Sequence, residues 1–141
     1  MRRMLSALVL LATGAVPAAA SVDRSPPPGG IYRLKPGIYV QKGVDCASPP
    51  NVALRRYDGR GISGAHTHAC LARVLSRRGS TFTVAQSCID TGAGPGPRST
   101  ERQTVTVADA LTFMMRTRGH TSTFRYCPVN MLPRELRSYA G

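Results

Sequence analysis

The chain reads as an all-β protein, about eight antiparallel strands in meander order forming a small barrel or barrel-like sandwich. Short runs rich in β-branched and aromatic residues recur along it, punctuated by Gly, Pro and Asp-Gly, which is the pattern of strands joined by tight turns. No long stretch repeats apolar residues at the helical period, and no heptad or fixed-length repeat occurs. Four cysteines, Cys46, Cys70, Cys88 and Cys127, are placed where two bridges would tie strands to one another.

The first element is not part of that fold. Met1-Arg2-Arg3-Met4 is a short basic segment, LSALVLLATGAV an apolar stretch too short to span a bilayer, and Pro17-Ala18-Ala19-Ala20 a small-residue cleavage site, together a secretory signal peptide over residues 1–20. Cleavage leaves no cysteine at the new terminus to carry a lipid and no transmembrane segment, so the expected location is the periplasm or the medium. Losing Arg2 and Arg3 takes the formal charge from +12 to +10. Such a field concentrates polyanions and slows encounter with other cations.

Residues 21–30, SVDRSPPPGG, have almost nothing to bury and form a Pro/Gly-rich linker. The β domain is expected over residues 31–130 and a C-terminal tail over 131–141. Within the domain the pattern predicts strands near 38–44, 53–57, 60–64, 70–77, 81–89, 102–108, 111–117 and 121–127. Ser48-Pro49-Pro50 introduces a short helical turn before the second strand. Asp58-Gly59 predicts a two-residue type I′ hairpin, and the tail a short helix from Pro133.

Two hairpins are registered by requiring apolar side chains to share a face. Around Gly79 this sets Val74 against Val84, Ser76 against Phe82 and Ala72 near Gln86, and it places Cys70 opposite Cys88. A one-residue slip would oppose Val74 to Thr83 and break the match. Cys46 is then left to Cys127, joining the ends of the first and last strands. Around Gly119-His120, a two-residue loop sets Met115 against Phe124 and Phe113 against Tyr126. An even cysteine count in an exported small domain supports disulfides, and no Cys-x-x-Cys marks a metal site.

Several residues invite chemistry. Asp90-Thr91-Gly92-Ala93 spells the catalytic turn of an aspartic protease, but that reaction needs two carboxylates sharing a proton. The chain holds one copy, so Asp90 would act only in a dimer, and the apolar-apolar-Gly segment which that fold requires late in the chain is missing. The following glycines lack Gly-Lys-Ser/Thr, and Pro95 and Pro97 remove backbone donors, so no phosphate cradle is expected. Asp90 therefore reads as the start of a turn, with Arg98 and Arg102 flanking a stiff basic loop. His66 and His68 alternate as metal ligands would, but lack an acidic third partner. No Gly-x-Ser-x-Gly marks a nucleophile elbow. The expectation is a protein without catalytic residues or cofactor.

Pro36-Gly37-Ile38-Tyr39 opening a strand, four spaced cysteines with Gly79 between the middle two, and Tyr126-Cys127-Pro128 at the close resemble small uncharacterised exported β proteins of Gram-negative bacteria. The likeness covers roughly residues 35–128 and implies location and fold, not activity. Periplasmic lysozyme inhibitors are also small disulfide-bearing β barrels, but a chain at +10 would repel the cationic enzymes they bind. The function expected is a non-catalytic periplasmic module that binds an anionic envelope component or a protein partner, through exposed arginines (Arg98, Arg102, Arg55, Arg56) and the 90–98 loop. Stacking on aromatics in basic strands would allow unspecific nucleic-acid adhesion, but export argues against a specific nucleic-acid role. The alternatives are a dimeric aspartic-protease-like hydrolase using Asp90 and, less favoured, a lysozyme-inhibitor-like protein.

Overall fold

The computed structural model describes residues 27–140; the signal peptide expected over residues 1–20 and most of the expected linker lie outside them. Eight strands appear, as the pattern predicts: β1 (Gly37–Gln41), β2 (Leu54–Tyr57), β3 (Ile62–Ser63), β4 (His68–Arg78), β5 (Thr81–Ile89), β6 (Arg98–Asp109), β7 (Thr112–Thr117) and β8 (His120–Tyr126). They form one antiparallel sheet in the order β3-β2-β1-β8-β7-β6-β5-β4, curled into a nearly closed barrel. A short helical turn at Asn51–Ala53 follows Pro50, and a one-turn helix, α1 (Arg134–Arg137), follows Pro133. Among the described residues no helix is long and apolar enough to cross a membrane.

Both disulfides form in the expected pairing, Cys46–Cys127 and Cys70–Cys88. The first closes a separation of 81 residues beside the direct pairing of β1 with β8, where Tyr39 lies opposite Tyr126. The first and last strands are thus neighbours, and the gap in the ring falls elsewhere, between β3 and β4.

That gap is bridged mainly by a side chain. Gln86 of β5 accepts a hydrogen bond from Ile62 N at 2.8 Å and donates Nε2 to Ile62 O at 2.7 Å, so its amide stands in for a strand. Ala72 N adds a backbone bond to Arg60 O at 2.9 Å. The approach is close enough that a Cβ on Gly61 would lie 2.5 Å from the Cys70 carbonyl oxygen, which restricts the position to glycine.

Three turns differ in detail from the sequence reading. Asp58-Gly59 is not a two-residue loop: Tyr57 pairs with Ile62, leaving residues 58–61 to turn, and the Asp58 carboxylate accepts from Arg60 N and Gly61 N at 2.9 and 3.2 Å. That Asx bonding replaces the left-handed pair of a type I′ turn. At Gly79-Ser80 the hairpin is a tight two-residue turn with Gly79 at φ 57°, so Arg77 faces Phe82 and Ser76 faces Thr83. A bulge between Val74 and Ser76 then restores the expected pairing of Val74 with Val84 and Ala72 with Gln86.

The third turn is Arg118-Gly119, with φ of 50° and 83°, rather than Gly119-His120. Phe113 therefore lies opposite Phe124 and Met115 opposite Ser122. The slip is an even number of residues, so every side chain keeps its face. All four expected core residues (Phe113, Met115, Phe124, Tyr126) are buried in the lumen, joined by Tyr32, Tyr39, Tyr57, Phe82 and Val84. Phe113 stacks on Phe124 with centroids 5.2 Å apart and meets Tyr39 edge-on at the same distance.

A second cluster covers the outside of β1 and β2. Ile38, Val40 and Leu54 pack there with Cys46, Cys127, Leu132 and Ala140, so β1 is buried on both faces beneath the C-terminal tail. The linker end is also held: Tyr57 donates its hydroxyl to Gly29 O at 2.7 Å and accepts from Tyr32 N at 3.1 Å.

Burial raises the hydroxyl pKa of Tyr32 and Tyr39 well above the usual tyrosine value, with neighbouring phenols adding to the effect, and raises Tyr57 in the same direction. Above about pH 10 an unfolded tyrosine has shed a proton that the folded one still holds. Stability is therefore full below that pH and falls as pH rises beyond it toward the raised values. Urea midpoints measured at stepped pH should be flat to about pH 9 and decline above about 10. The buried Tyr32 hydroxyl has no hydrogen-bond partner among the described residues, so Tyr32→Phe should lessen the decline, leaving the share of Tyr39 and Tyr57, without loss of stability at neutral pH.

Candidate functional site

The loop carrying Asp90 is a braced bend. The Ser99 hydroxyl donates to the Asp90 carboxylate, Gly92 N donates to His66 O at 3.0 Å, and Thr91 Oγ1 donates to Ala93 O at 3.4 Å. Gly92 and Gly94 both lie at φ 75°, the left-handed region that the glycines permit. His68 belongs to the same brace: its Nε2–H donates to Gly94 O at 2.7 Å. Between His68 and Cys70, Ala69 has φ 49° and the β4–β5 register shifts. His66 stands outside β4 in a turn, so the strand alternation expected to align His66 with His68 does not operate. Among the described residues no group of three or more His, Cys, Asp or Glu side chains is placed to hold a metal ion.

The four arginines singled out from sequence separate into different places. Arg98 and Arg102 lie on β6 and are exposed. Arg98 is partly engaged as a clamp, its Nη1 donating to Ala69 O at 3.0 Å and Ser87 O at 3.1 Å. Arg56 stacks over Tyr139 at 5.7 Å, beneath the C-terminal tail. Arg55 is turned into the barrel, opposite buried Tyr39 in the β1–β2 register, with its guanidinium 4.8 Å from the Phe124 ring centroid.

The barrel interior is graded along its axis. Aromatic side chains fill one end, and at the other a cavity of ≈ 340 Å³ opens between β2, β3, β5, β6 and β7. Arg55, Gln86, Glu101, Gln103, Met115 and Thr117 contribute to its wall. Arg55 Nη1 donates to Val52 O at 3.1 Å and Leu54 O at 2.6 Å. No carboxylate pairs with it among the described residues, and burial lowers its pKa from the ordinary arginine value. Glu101 is paired outward, 2.6 Å from Arg118 Nε, and its other oxygen accepts from Gln103 Nε2 at 3.4 Å. Gln103 is 8 % exposed, and its Oε1, like Thr117 Oγ1, receives no hydrogen bond from a described residue.

Glu101, Gln103 and Thr117 were not singled out in the sequence reading. The signal was present: Ser99, Glu101, Gln103, Val105 and Val107 share one parity. The predicted strand began at residue 102, whereas β6 starts at Arg98, and the shorter segment hid the polar half of its inward face.

The outer face differs in kind. Across β4, β5 and β6, Arg73, Ala85 and Arg102 form one row, and Ser76, Thr83, Thr104 and Arg116 the next, continuing to β7. Arg73, Arg78, Arg98, Arg102 and Arg116 are all exposed. The only carboxylates in these strands are Glu101, which lines the lumen, and Asp109 at the end of β6, where Oδ1 accepts from Leu111 N at 2.8 Å. Compared with family models, curated proteins and solved structures, the chain matches none.

Proposed function

We propose that this protein is a non-catalytic binding module of the periplasm or cell exterior, and that the outer face of β4–β7 docks onto an anionic partner of the envelope. The observation that carries the reading is the row geometry: five exposed arginines set among Ser and Thr side chains, with no carboxylate facing outward between them. Isolated arginines on a mixed surface are neutralised by nearby acids. Here their fields add, and guanidinium forks suit phosphate and carboxylate oxygens. The signal peptide, the two disulfides and the likeness to exported four-cysteine proteins support the location.

Inorganic polyphosphate is a suitable multivalent probe. Binding should be present at low salt and weaken steeply as salt rises. Replacing Arg73, Arg102 and Arg116 together by alanine should weaken it about 100-fold, on the basis of about 1 kcal/mol per cation at an anionic surface. Absent binding, a salt-insensitive affinity or an unaltered affinity in the variant would overturn the arginine mechanism. Peptide hydrolysis that disappears in folded Asp90→Asn would overturn the non-catalytic reading.

A further inference from the structure

We infer that the polar end of the barrel is a separate binding site for a small zwitterion, an amino acid or dipeptide with free amino and carboxylate ends. In the strand order, β2 and β6 stand four places apart in a ring of eight, so they face each other across the lumen. The cavity between them therefore has unlike walls. On the β2 side is the Arg55 guanidinium, which has two backbone carbonyls for its Nη1 and no carboxylate among the described residues. On the β6 side are Glu101 and Gln103, acceptors both, with Asp90 at the rim.

A desolvated guanidinium without a counter-ion attracts a carboxylate strongly, and its planar fork binds one in bidentate fashion. Gln103 Oε1 is buried in a residue only 8 % exposed and receives no hydrogen bond from a described residue. A buried acceptor in that condition is unfavourable until an N–H or O–H reaches it. An ammonium group meets that need, on the wall where Glu101 is already paired with Arg118. A simple anion would satisfy Arg55 alone and leave Gln103 Oε1 without a donor; a simple cation would reach Gln103 Oε1 and leave Arg55 without a carboxylate. The volume of ≈ 340 Å³ is at the lower end of the range of about 300–1,000 Å³ for small-molecule sites, and Ile62 and Met115 give the cavity an apolar patch for a small side chain.

The test uses glycylglycine, L-alanyl-L-alanine and L-leucylglycine at up to millimolar concentration, each beside its C-terminal amide and its N-acetyl derivative. Amide chemical shifts of the wild-type protein are followed by NMR. The expected result is saturable shifts at Arg55, Gln103 and Thr117 with at least one zwitterion. Loss of either terminal charge should weaken binding at least about tenfold. Arg55→Gln and Gln103→Leu should each weaken it similarly, with the fold checked by thermal unfolding. If either variant fails to fold, the blocked dipeptides test the same contacts on the wild-type protein. Shifts with none of the zwitterions, or equal binding of blocked and free forms, would overturn the inference. Replacing the outer-face Arg73, Arg102 and Arg116 should leave dipeptide binding unchanged, which separates this site from polyanion docking.

Discussion

Replacing Cys46 and Cys127 together by alanine should lower the unfolding free energy by about 4 kcal/mol, against about 3 kcal/mol for the pair Cys70 and Cys88. The order follows from loop length. The first bridge spans a separation of 81 residues and the second 18, and a longer closed loop removes more conformational freedom from the unfolded chain. Packing acts in the same direction. Cys46 and Cys127 are fully buried in the cluster that covers β1, so their loss also loosens Leu132 and Ala140 of the tail. Arg125 depends on the same region, with Nη2 donating to Val44 O at 2.7 Å. Urea unfolding under non-reducing conditions checks both variants. A larger loss from the Cys70 and Cys88 pair would show that local strand pairing, rather than chain closure, dominates stability.

Gln86→Leu should cost about 3 kcal/mol although leucine has similar volume. Both Ile62 backbone groups depend on the glutamine amide, and each buried group left unpaired costs about 1–3 kcal/mol. Because Gln86 joins β5 to β3, the loss should be local in its first effect: hydrogen exchange should accelerate at residues 60–63 and 70–72 before the rest of the barrel. Gln86→Glu gives a sharper reading. A carboxylate still accepts from Ile62 N but has no donor for Ile62 O, and protonation restores one. The stability of that variant should therefore rise as pH falls through the carboxyl range, unlike that of the parent. Unchanged exchange at residues 60–63 in Gln86→Leu would show that the backbone bond between Ala72 and Arg60 suffices to hold the seam.

The interior parity of β5 was fully legible from sequence, since Phe82, Val84, Gln86 and Cys88 alternate with Thr, Ala and Ser in strict period. The same alternation located the Cys70–Cys88 bridge, because requiring Val74 to meet Val84 leaves those cysteines facing each other. Turn positions were less legible. Arg118 adopts positive φ, a conformation that an arginine does not advertise, and the hairpin there shifted by an even step. The arginines were recognised as a class but not by face. Nothing local distinguishes Arg55, which enters the lumen, from neighbouring Arg56, which lies under Tyr139; which face is interior depends on the curvature of the whole sheet.

By itself the sequence determined the all-β class, a count of about eight strands, the pairing of the cysteines and which side chains share a face in the two registered hairpins, because all of these rest on a two-residue period and on simple elimination. Only the tertiary structure decided that the ring closes between β3 and β4 through the Gln86 amide, that Arg55 confronts Glu101 and Gln103 across a cavity, and that Arg73, Arg102 and Arg116 share an outer face. These relations join strands that are distant in sequence, and they depend on how far the sheet curls before its edges meet. Curvature is set by the sum of twists, bulges and packing over the whole barrel, and no local pattern carries it.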